Sequence, residues 1–172
     1  MSKRNIPLGI FAGVVGGLVA SFVMNAFISG PGEALSDAVE SPQEKRRLKQ
    51  RSDGEDATMK TADAIAVTVT GGQHLTHEER AAAGPVIHYA FGAVMGGLYG
   101  GLAEVSDAAT TGFGTTFGSM LFTGADLFAV PALKLAPLPT EQPASALATP
   151  LAAHLVYGAT TELVRRLVRR LM

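Results

Sequence analysis

Ile6 to Ile28 is a run of 23 residues without one charged side chain. A helix of ~20 apolar residues crosses the ~30 Å hydrocarbon core of a bilayer. Few other settings accept so long an uncharged helix. Three more apolar stretches follow, over residues 85–104, 113–132 and 146–165. Between the first and second lies a segment of opposite character. Residues 29–84 hold 7 of the 14 Lys and Arg residues and 10 of the 15 Asp and Glu residues. The chain therefore divides into near-uncharged spans and one polar loop, and its low overall charge of 17% against a usual ~25% is the mean of the two. A signal peptide also starts basic, at Lys3 and Arg4, and ends on small residues such as Ala20 and Ser21, but the length of this run favours an uncleaved helix.

The expectation is an all-α, polytopic membrane protein: four transmembrane helices, with a helical extramembrane loop at 29–84. Four spans place both termini on one side. Lys3, Arg4 and the arginines from Arg165 to Arg170 make that side cytoplasmic by the positive-inside rule. Within the loop, Ser41-Pro42 opens a helix to Arg51. Asp56 caps one through Val69 that presents Ala62, Ile65, Ala66 and Val69 on one face, and Gly71-Gly72 stops it. Thr76 and Glu79 form a capping box for a helix to Ala83, after which Gly84-Pro85 turns the chain into the second span. The run from Glu44 to Arg51 reads as a solvated basic helix face, with lipid headgroups as the other option.

Glycines recur at every fourth position: Gly9, Gly13 and Gly17; Gly92, Gly96 and Gly100; Gly114 and Gly118. In lipid, small residues become helix–helix contacts because close backbone approach is what holds the helices together. Packing within one subunit is the first reading of these faces. A homo-oligomer or a larger membrane complex is the second. The balance of 14 basic and 15 acidic residues gives no reason to expect nucleic acid. The absence of cysteine removes disulfides and thiolate metal sites.

Counting along the spans places the polar residues in two layers. Asn25, His88, Asp126 and His154 come from four different spans and lie at one depth near the loop side. His88 and His154 each begin the word His-x-x-x-Gly. Ionisable groups within a membrane are functional candidates by default. Two imidazoles and a carboxylate can relay or sense protons, hold zinc or another metal, or serve with the two histidines as axial haem ligands. They can also only hydrogen-bond neighbouring helices. No cofactor is assigned. Glu104, Glu162, Arg165 and Arg166 form the opposite layer and are expected to pair at the interface. His74 and His77 fall in the polar loop as surface residues, although with Asp63 they can be arranged as loop chemistry. No catalytic word is present: no G-x-S-x-G, P-loop, H-E-x-x-H or dinucleotide fingerprint. The expected class is a non-enzymatic membrane protein whose buried polar cluster responds to protons or binds a small ligand or metal, with an accessory or scaffold subunit as the alternative and a bis-histidine haem or metal redox subunit as the second.

Several phrases resemble the YagU-like family of bacterial inner-membrane proteins of unknown function. They run from Glu55 to Asp63, from Ala83 to Gly92, through Gly124-Ala125-Asp126 with Val130-Pro131, and from His154 to Gly158 with Glu162 to Arg166. The resemblance implies a multi-span protein of the bacterial cytoplasmic membrane and supplies no catalytic residue. The text of the first loop departs from that pattern.

Overall fold

The computed structural model describes residues 4–51 and 54–172. Lys3 and the Arg51 side chain lie outside them. Every regular element among the described residues is helical. Helix α1 spans Ile6–Ile28; Asn5 caps it, its side chain accepting from the Leu8 amide at 3.1 Å. Helix α2 (Pro31–Val39) was not expected from the loop text. Helix α3 (Pro42–Arg51) begins at Ser41, whose hydroxyl accepts from the Glu44 amide while the Glu44 carboxylate accepts from the Ser41 amide. Helix α4 (Ala57–Thr70) starts at Asp56 and ends at Gly71, whose φ of 76° terminates it in a left-handed turn.

Helix α5 (His77–Val105) corrects one expectation. The capping box of Thr76 and Glu79 starts it, but Gly84-Pro85 does not end it, and the helix runs unbroken for 29 residues. Proline costs the helix the amide that would bond the Ala81 carbonyl and forces local adjustment. Packing carries the chain past it. α4 lies against this part of α5, and a Cβ at Gly84 would come within 3.1 Å of Met59 and Thr58.

The third apolar stretch also starts later than expected. Thr111 is extended, while Gly112, Phe113 and Gly114 take φ values of 65°, 56° and 84°, so Phe113 belongs to a left-handed turn. Helix α6 (Thr115–Leu121) follows. It continues as a π-helical stretch, Phe122–Ala129, and a last turn, Val130–Ala132. Pro131 explains the wide stretch: its ring cannot sit against the carbonyl four residues back, and the amide of Val130 already bonds the Ala125 carbonyl five residues back. Helix α7 (Ala148–Leu171) is preceded by a 3-10 turn at Ala144–Leu147.

α1 packs along α5 on one side and α7 on the other, and α6 packs on α7. The glycine stripes are the contact. A Cβ on Gly17 would stand 2.2 Å from the Gly92 carbonyl oxygen, and one on Gly100 would stand 2.1 Å from that of Gly9. Gly114 and Gly118 meet α7 in the same way, at Gly158 and the His154 carbonyl. The buried residues of α1 are Gly9, Ala12, Gly13, Gly16, Gly17, Ala20, Ser21 and Met24, whereas Phe11 and Phe22 are 51% and 64% exposed. Large apolar side chains point outward from α5 and α7 too, at Phe91, Val94, Leu98, Leu163 and Leu167.

Among the described residues, two helices are long and apolar enough to cross a membrane, by length and composition: α1 and α5. Of the expected apolar face of α4, Ala62 is buried and Ala66 half-buried, but Ile65 and Val69 are exposed, so only half of it is used.

Candidate functional site

At the end of the molecule where α1 begins and α5 and α7 finish, two carboxylates are locked by arginines. Glu162 is fully buried. It accepts from the Tyr99 hydroxyl at 2.9 Å, from Arg165 Nε at 2.7 Å and Nη2 at 2.9 Å, and from Arg166 Nε. Glu104 accepts from Arg169 Nε at 2.7 Å and Nη2 at 3.0 Å, and from the Asn5 amide at 2.9 Å. Arg165 Nη1 lies 3.9 Å from Glu104 and joins the two pairs. Both arginine forks are bidentate, the geometry that best offsets desolvation of a buried charge. This brings together Glu104, Glu162, Arg165 and Arg166, and adds Asn5, Tyr99 and Arg169. Arg169 stands four residues after Arg165, the one sequence signal that placed it on the same face. The chemistry is that of a clasp: every carboxylate oxygen of the pair accepts from at least one fixed donor.

The other polar layer is assembled only in part. His154 is 8% exposed, and its Nδ1–H donates to the Pro150 carbonyl at 2.9 Å. The same nitrogen lies 3.7 Å from Asp126 Oδ2. Asp126 sits in the middle of the π-helical stretch, with its side chain 36% exposed. The Phe122 ring lies 5.7 Å from the imidazole. His88 does not join this pair. Its Nε2 faces the Ser21 carbonyl at 3.5 Å, on α1. Asn25 is half-buried on α1, one turn after Ser21. The two His-x-x-x-Gly words thus serve different contacts, Gly92 against Ser21 and Gly158 against Gly114.

Among the described residues, no three His, Asp or Glu side chains are placed to hold a metal ion. Cavities of about 250 and 380 Å³ lie at the loop end of the molecule, and neither His88 nor His154 lines them. The residues that suggested zinc thus form no three-ligand group among the described residues, and His88 and His154 turn to different contacts, the Ser21 and Pro150 carbonyls.

The loop holds a third polar group. His74 Nδ1 lies 2.8 Å from Asp63 Oδ2, and His77 Nδ1 lies 3.0 Å from Glu55 Oε1. Arg80 reaches both carboxylates, at 3.0 Å from Glu55 and 3.9 Å from Asp63. The His74 hydrogen bond, with a second from the Leu75 amide, holds the Asp63 carboxyl below its usual range. Both histidines remain largely exposed, and the cluster ties the middle of α4 and the residue before its cap to the start of α5.

A family model described as a protein of unknown function (DUF1440) matches residues 51–163, more than half of the chain. No curated protein and no solved structure matches.

Proposed function

We propose, for a chain that belongs to the DUF1440 family of proteins of unknown function, a non-enzymatic membrane protein with four spans, in which Asp126 and His154 form a proton-responsive pair. The spans are those of α1, the apolar part of α5, α6 with its π-helical continuation, and α7. The membrane is the bacterial cytoplasmic one, with both termini inside. The reversal of burial supports the spans: glycines, alanines and charged groups fill the interior, and phenylalanines and leucines cover the outside. In water that arrangement forgoes the ~25 cal/mol per Å² that apolar burial supplies. In lipid it costs nothing, because the tails are as apolar as leucine.

The observation that carries the functional reading is the carboxylate of Asp126, in a π-helical turn, 3.7 Å from a buried imidazole. π-helical turns within α-helices concentrate at functional sites. Nδ1–H of His154 is committed to Pro150, so an added proton goes to Nε2 and the ring becomes a cation beside Asp126. That draws α6 toward α7, and loss of the proton releases it.

The test uses the full-length protein in vesicles. Hydrogen exchange of residues 122–129 is followed between about pH 5 and 8, with intrinsic exchange rates corrected for. The expected result is a pH-dependent change that disappears in Asp126→Asn. An unchanged response in that variant overturns the assignment.

A further inference from the structure

We propose that the outer face of α7 near its C-terminal end, together with Phe113, is a binding surface for one anionic phospholipid, with Arg166 and Arg170 holding the phosphodiester. The proposal rests on the membrane reading of the preceding subsection and is independent of the Asp126–His154 pair. The four arginines of α7 divide between two faces. Arg165 and Arg169 turn inward and are used up on Glu162 and Glu104. Arg166 and Arg170 lie on the adjacent face, about 100° round the helix. Arg170 is exposed, and the Arg166 side chain is 43% exposed. Arg166 spends only Nε on Glu162, which leaves its terminal nitrogens for a second acceptor.

The same face is apolar just below the cations. Leu163, Arg166, Leu167 and Arg170 follow the i, i+3, i+4, i+7 spacing of one helix face, and both leucines are 48% exposed. Phe113, 41% exposed, lies under the Arg166 guanidinium, with the central carbon 4.8 Å from the ring centroid. A row of exposed leucines and an aromatic ring offers a track for acyl chains. Two guanidinium groups spaced one turn apart at its end offer bidentate donors to a phosphodiester. Basic groups next to a span attract anionic lipid in this way. The left-handed turn Gly112–Gly114 holds Phe113 in place beneath Arg166.

The test is lipid selectivity by spin-label electron paramagnetic resonance. Full-length protein is reconstituted in phosphatidylcholine vesicles with trace spin-labelled phosphatidylglycerol or, in parallel, spin-labelled phosphatidylcholine. The wild type is expected to immobilise the anionic label several-fold more strongly than the zwitterionic one. Arg170→Gln, which disturbs no contact of the clasp, is expected to reduce that preference, and Arg166→Gln with Arg170→Gln to abolish it, with up to about fivefold lost per arginine. Arg46→Gln with Arg47→Gln on α3 is expected to leave it intact. A wild type that immobilises both labels equally, or a preference that survives in Arg170→Gln and in the double variant, overturns the proposal while leaving the spans standing. If neither label is immobilised, the membrane reading itself fails.

Discussion

Gly13 and Gly96 hold two helices so close that neither backbone leaves room for a side chain. A Cβ on Gly13 would stand 2.1 Å from the Gly96 carbonyl oxygen, and a Cβ on Gly96 would stand 2.3 Å from that of Gly13. The obstacle is backbone in both cases, so it cannot be relieved by a rotamer change. Gly13→Leu or Gly96→Leu is expected to separate α1 from α5 and destabilise the fold by about 3 kcal/mol or more, the upper end of overpacking costs. Gly101→Ala meets only side-chain carbons of Ile10, Cγ1 at 3.1 Å and Cδ1 at 3.7 Å, and is expected to be tolerated. Thermal unfolding of the detergent-solubilised variants checks the contrast. Equal midpoints for Gly13→Leu and the wild type would contradict the packing.

The Glu162 clasp predicts an order of severity. Glu162→Ala strands Arg165, itself 8% exposed, and breaking a buried ion pair from one side costs about 3–5 kcal/mol. Tyr99→Phe removes one hydrogen bond to a charged acceptor that keeps its arginines, a loss of about 1.5–3 kcal/mol. Denaturation by detergent titration is expected to rank wild type above Tyr99→Phe and Tyr99→Phe above Glu162→Ala. The reverse order of the two variants would mean that Tyr99, not the arginines, holds Glu162.

The loop hairpin is expected to loosen in acid. Asp63 is held below its usual carboxyl range by His74 and the Leu75 amide. A carboxylate with a depressed folded value contributes stability above its unfolded value of about 3.9 and loses it as the pH falls through the folded value. Amide exchange at Leu75 is therefore expected to rise as the pH drops below about 4, once intrinsic exchange rates are corrected for. In Asp63→Asn it is expected to be already raised at neutral pH and to vary less with acid. A Leu75 amide equally protected at pH 3 and pH 7 would refute this.

Local signals were legible in the text. Ser41, Asp56 and Thr76 each start a helix where side chain and amide lie within three residues of one another, so no distant contact is needed to read them. Gly84-Pro85 was misread as a break because its support comes from Met59 and Thr58, some 25 residues away in sequence. Phe113 begins no helix although it opens an apolar run: Gly112 and Gly114 on either side permit the left-handed turn, a signal that the apolar pattern hides. The exposed Ile65 and Val69 show the same limit: periodicity names an apolar face and does not say whether anything lies against it.

The sequence alone determined most of the helical segments, though not Pro31–Val39 or the continuity through Pro85, and how high each polar residue stands along its helix, because rise per residue is a local property of the backbone. It placed Glu104 and Glu162 at one end and His88, Asp126 and His154 toward the other. Only the tertiary structure decided which way each of them turns. The rotation of α1, α5, α6 and α7 is set by glycines meeting across helix pairs, Gly13 on Gly96 and Gly114 on Gly158. That docking sends Arg169 to Glu104 and Tyr99 to Glu162, brings Asp126 to His154, and leaves His88 to the Ser21 carbonyl.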